Sequence, residues 1–128
     1  MRWFLILCLL LGACSANPEK IGHINTRLPN QYGIVEFTAG DTVPLAWICP
    51  KEATERVVFT FFAEEDNPIV LGETTDLHFH TKCFRDIASV RVTVPMQPAE
   101  GYIQATGYRN GRVTSYSIPL SVKISPAP

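Results

Sequence analysis

The stretch "GYIQATGYRNGRVTSYSIPLSVKI", Gly101–Ile124, decides the fold. Asn110-Gly111 near its middle is a strong two-residue hairpin signal. Both central positions of the favoured tight turn need a positive φ, which asparagine and glycine accept at low cost. After the turn, Tyr116, Ile118, Leu120, Val122 and Ile124 fall on one face, and Ser115, Ser117, Ser121 and Lys123 on the other. Period-two alternation of this kind marks a half-buried strand. Pro119 falls on the polar face, which places it near a sheet edge because proline donates no ladder hydrogen bond.

The same period extends upstream. "GIVEFT" reads as a short strand turned by "AGD". "TVPLAWIC" follows, with Val43, Leu45, Trp47 and Cys49 in phase, and Pro44 pointing to an edge or a bulge. "RVVFTFF" is apolar on both faces and reads as a central strand, so one of the sets Phe59/Phe61 and Val58/Phe62 faces the core. "EEDNP" is a turn by composition. "IVLGETT", "LHFHTKC" and "ASVRVTVP" are further strands, the last with Val90, Val92 and Val94 inward and Ser89, Arg91 and Thr93 outward. No stretch has helical periodicity. The pattern predicts an all-β chain, an antiparallel immunoglobulin-like or fibronectin-like β-sandwich of seven to eight strands. The expected organisation is a signal peptide over residues 1–16, a looser lead-in over 17–33, the sandwich over 34–124 and a short tail over 125–128.

"MRWFLILCLLLGACSA" carries the targeting expectation. One cation precedes an apolar run too short to span a bilayer, followed by small residues, as in a secretory signal cleaved after Ala16. The alternative is "LGAC", which resembles a bacterial lipobox and would make Cys14 a lipidated first residue. No second apolar segment follows, so no transmembrane helix is expected, and "KISPAP" lacks the hydrophobic tail of a GPI signal. A formal charge of −1 advertises no basic face for nucleic acid. No Asn-X-Ser/Thr acceptor for N-glycosylation appears.

In an oxidising compartment Cys49 and Cys83 are expected to form one disulfide. Both are in phase with inward residues, so the bond would staple the two sheets. It would close a loop of about 35 residues, worth roughly 3–4 kcal/mol. Free buried thiols and a metal or redox role are the alternatives. His78 and His80 share the opposite face of their strand with Lys82. Their β-carbons would lie roughly 7 Å apart, a spacing at which two imidazoles can meet one Zn²⁺ or Cu²⁺. A third ligand is needed; Cys83 faces the other way, and His23, Glu73 or Asp76 would require a contact made by the fold.

Enzymatic machinery is not legible. A glycosidase needs two carboxylates about 5–10 Å apart across a cleft, and the sequence does not place Glu36, Glu64, Glu73 and Glu100 against one another. No nucleophile elbow and no phosphate loop appears, so neither a catalytic residue nor a cofactor is expected. Tyr108 and Arg109, beside the hairpin turn, are the candidate binding residues. A tyrosine joins apolar area to a hydrogen-bonding tip and can stack on a sugar ring or anchor a protein partner.

Two stretches resemble a known family. "FTAGDTVPLAW", Phe37–Trp47, resembles the opening of the N-terminal domain of fungal cell-wall proteins, the Ser/Thr-rich, often GPI-anchored or secreted proteins associated with β-1,6-glucan assembly. "VTVPMQPAEGYIQATGYRNGRVTSYSIPLSV", Val92–Val122, is similar to that domain's closing half. The resemblance implies a secreted or cell-wall module whose partner is wall glucan or another extracellular protein. The chain departs from that family in having no Ser/Thr-rich stalk and no GPI tail, which puts wall anchoring in doubt. "AEGY" with Tyr102 also resembles the tyrosine corner of immunoglobulin-like sandwiches, although Gln104 stands where that family has its cysteine. The function expected is non-enzymatic extracellular or cell-wall binding. The alternatives are a lipoprotein anchored through Cys14 and a secreted metal-binding protein using His78 and His80.

Overall fold

The computed structural model describes residues 18–26, 30–31, 33–48, 50–51, 54–64, 67–80 and 85–128, with the backbone alone at 30–31, 78–80 and 85–86. Every regular element among them is a strand: β1 (Glu19–Lys20), β2 (His23–Asn25), β3 (Asn30–Gln31), β4 (Ile34–Thr38), β5 (Thr42–Ile48), β6 (Arg56–Ala63), β7 (Ile69–Thr74), β8 (Leu77–His80), β9 (Arg85–Thr93), β10 (Ala99–Arg109), β11 (Arg112–Tyr116) and β12 (Leu120–Ser125).

They form two sheets facing each other in an open, sandwich-like arrangement. The smaller has the order β2-β5-β9-β8. The larger is built around β10. One side of β10 pairs with β6, which pairs with β7. Its other side is shared, with β12 along Ala99–Ile103 and β11 along Thr106–Arg109. Beyond β12 lies β4, in parallel register, and then β3; β1 runs parallel to β11.

The core lies between the sheets, and alternation explains its membership. Val43, Leu45 and Trp47 of β5 share one buried core with Val35 and Phe37 of β4, Phe59 and Phe61 of β6, and Ile103 of β10. The strand β6, apolar on both faces, is central as the sequence predicts, and Phe59/Phe61 is its core set. In β9, Val92 is buried and Ser89, Arg91 and Thr93 are exposed, again as predicted. The turns follow their residues. Asn110 and Gly111 have φ of 50° and 75°, the pair a type I′ hairpin requires, and Gly40 has a φ of 81° in the turn from β4 to β5. Pro44 lies where the described part of β2, which pairs only with Ala46–Ile48, leaves that side of β5 open.

Three expectations change. First, the single alternating face predicted from Ser115 to Ile124 is broken. Ser115 and Ser117 are fully buried, whereas Ile118 is 53% exposed. Ser117–Pro119 leave the regular strand, and the phase slips there, so that Ser117 and Leu120, three residues apart, both face inward. Proline's missing N–H favours such a break. Ser117 tolerates burial because it is bonded: its N–H donates to the Ala105 carbonyl (2.9 Å), and its Oγ accepts from the Ala105 N–H (2.9 Å). Second, the lead-in belongs to the sandwich. Ile24 of β2 is buried, and the Trp47 indole donates to the Ile21 carbonyl at 2.9 Å. Third, the strand count rises to twelve among the described residues, because the lead-in contributes β1–β3 and the break divides one long strand into β11 and β12.

A candidate binding groove on the larger sheet

On β10 the inward residues are Ile103, Ala105 and Gly107, so Glu100, Tyr102, Gln104 and Tyr108 face the other side of the sheet. Tyr102 therefore does not turn inward as a tyrosine corner does. It is 39% exposed and stands directly opposite Phe62 of β6, with ring centroids 5.0 Å apart and planes at 20°. Its hydroxyl takes no hydrogen-bond partner among the described residues.

Around this stacked pair lies a groove of about 540 Å³, lined also by Glu64, Glu100 and Ser121. A second depression of about 240 Å³ shares Glu100, Gly101 and Ser121 and adds Ile34 and Lys123. The register accounts for the grouping: Tyr102 pairs with Ser121 and Ser121 with Ile34, and the next outward row is Glu100, Lys123 and Glu36. Gly101 permits it. A β-carbon there would overlap the Phe62 carbonyl oxygen and lie 2.9 Å from its carbon. Only glycine lets β6 and β10 approach this closely, and that approach sets the two rings together. The arrangement offers an aromatic platform, two carboxylates that accept hydrogen bonds, and hydroxyl and ammonium donors at one margin.

The four carboxylates weighed from sequence separate into three places. Glu64 and Glu100 share the groove. Glu36 accepts from the Ser125 hydroxyl at 2.6 Å, and Glu73 pairs with Arg56 at 3.0 Å. Tyr108 and Arg109 lie at the opposite end of β10 from the groove. Tyr108 is half-buried beneath Arg56, whose guanidinium carbon stands 4.5 Å from the ring centroid; Arg109 is exposed. The side chains of His78 and His80 lie outside the described residues. Their strand, β8, is an edge of the smaller sheet. His23 is in the same register row as His78 but three strands away, so β2 does not bring it alongside. No group of three metal-ligating side chains occurs among the described residues. Cys14, Cys49 and Cys83 lie outside the described residues. No helix among the described residues is long and apolar enough to cross a membrane.

The groove pair is not legible in the sequence, because alternation relates each ring only to its own strand. Phe62 had the parity signal, but its cross-strand partner depends on the β6–β10 register. No protein-family model matches the chain. No curated protein matches it. A chain from a solved structure described as the "Structural basis of T cell specificity and activation by the bacterial superantigen toxic shock syndrome toxin-1" aligns with 82% of this chain and 100% of its own length, at 6% identity and a TM-score of 0.49.

Proposed function

We propose that this chain is a secreted, non-enzymatic binding module that holds a cell-wall glycan in the Phe62–Tyr102 groove. The stacked, partly exposed aromatic pair between Glu64 and Glu100 carries the reading. A sugar ring presents an apolar C–H face to an aromatic ring, and its hydroxyls donate to carboxylates; the groove supplies both partners side by side. The secretory character of residues 1–16 and the resemblance to fungal cell-wall domains support an extracellular setting, and the same resemblance favours a β-glucan.

The scaffold in this proposal is immunoglobulin-like. The order β2-β5-β9-β8 corresponds to an A-B-E-D sheet, and β7-β6-β10-β11/β12 to a C′-C-F-G sheet. The Cys49–Cys83 disulfide belongs to the same proposal. Thiol titration of denatured, unreduced mature protein is expected to find neither cysteine free; two free thiols would remove the bond.

Retention on insoluble β-glucan and on chitin tests the binding. Wild type is expected to be held by β-glucan. Phe62→Ala and Tyr102→Ala are each expected to weaken retention at least about tenfold, the loss of roughly 1.5 kcal/mol of aromatic contact. No retention of wild type on either polymer sinks the wall reading.

A further inference from the structure

We infer that the β10–β11 hairpin tip is a second, separate binding site, which takes a sulfate or phosphate oxyanion between Arg109 and Arg112. These two arginines are directly opposite each other across the turn. Their β-carbons are therefore about 4.5–5.5 Å apart, and like charges so placed destabilise a hairpin. Neither guanidinium is held by a partner side chain among the described residues. Both are exposed, and neither has an ion pair or hydrogen bond among the described residues. Of the described acids nearby, Glu73 pairs with Arg56 at 3.0 Å, and Glu55 reaches the turn itself, where it accepts the Asn110 N–H at 3.0 Å and leaves the two guanidiniums without an ion pair of their own.

The tip is also held in place. Asn110 and Gly111 fix the tight turn, the Glu55 N–H donates to the Tyr108 carbonyl at 2.8 Å, and Arg56 covers the Tyr108 ring. Two guanidiniums opposite each other on a braced turn hold their forks side by side. A guanidinium fork matches the oxygens of a sulfate or phosphate, and one anion between two forks turns their repulsion into attraction. A carboxylate bearing two oxygens fits one fork; a tetrahedral oxyanion presents enough oxygens for both.

The site lies seven residues along β10 from Tyr102, roughly 23 Å at strand rise, so it stands or falls independently of the groove. The test follows backbone amide shifts during titration with inorganic sulfate, inorganic phosphate, and a sulfated disaccharide beside its unsulfated parent, all at constant ionic strength. Saturable shifts centred on Arg109–Arg112 are expected with the oxyanions and absent with the unsulfated sugar. Tighter binding of the sulfated sugar than of free sulfate identifies an ester as the ligand, and the reverse order identifies the free ion. Arg109→Gln and Arg112→Gln are each expected to weaken binding about tenfold. They are also expected to melt no lower than wild type, since each removes a like-charge opposition. Shifts that never saturate, or an Arg109→Gln/Arg112→Gln double variant that binds like wild type, overturn the site. So does a clear fall in melting temperature for the single variants, because it would show that the two arginines stabilise the free protein.

Discussion

Trp47→Ala is expected to lower the unfolding free energy by about 3–5 kcal/mol, the range for truncating a large buried aromatic side chain. Trp47 has no exposed surface and sits near the end of β5, within the core between the two sheets. Its loss also orphans the Ile21 carbonyl, which the indole N–H reaches at 2.9 Å. Trp47→Phe separates the two contributions. It keeps most of the volume but abandons that acceptor, and is expected to cost about 1–3 kcal/mol. Urea denaturation followed by far-ultraviolet circular dichroism measures both. A Trp47→Ala variant within about 1 kcal/mol of wild type would contradict the placement of this residue at the centre of the core.

Gly101→Ala is expected to cost about 1–3 kcal/mol, in the manner of an overpacked site, and to remove glycan binding as well. The new β-carbon has nowhere to go, because the nearest atoms belong to the backbone of Phe62 and Ala63 rather than to a movable side chain. β6 and β10 must separate locally, and the Phe62–Tyr102 stack separates with them. Gly111→Ala is the control. Its φ of 75° imposes a conformational cost of roughly 1 kcal/mol, but no atom lies within 4 Å of the added carbon and the groove is remote. It is expected to lose stability and keep binding. Denaturation midpoints and β-glucan retention, measured on both variants, separate steric interference at the groove from backbone strain at the turn.

Much of the architecture was legible because β-strands advertise themselves locally. Val43, Leu45 and Trp47 in β5, Val90 and Val92 in β9 with Val94 just after it, and the Asn110-Gly111 turn obey rules that involve only sequence neighbours. The slip at Ser117–Pro119 was not legible. Alternation does not carry through the break before Pro119, and a buried serine looks polar until its partner, the Ala105 backbone, is known. The lead-in escaped for the opposite reason: β1 and β2 are two and three residues long, too short to show a period, and are held by pairing with β11 and β5. The groove was the least legible feature. Phe62, Tyr102, Glu64, Glu100 and Ser121 come from three parts of the chain, and only the registers of β6 and β12 on β10 bring them together.

That grouping is the central claim, and amide shift mapping with a soluble β-1,6-gluco-oligosaccharide tests it most directly. Saturable shifts are expected at Phe62, Glu64, Gly101, Tyr102 and Ser121, with none at the β10–β11 hairpin, and at least about tenfold more ligand is expected to be needed when Tyr102 is replaced by alanine. Saturable binding whose shifts fall elsewhere on the molecule, or that persists unchanged in Tyr102→Ala, would contradict the assignment of the groove as the glycan site.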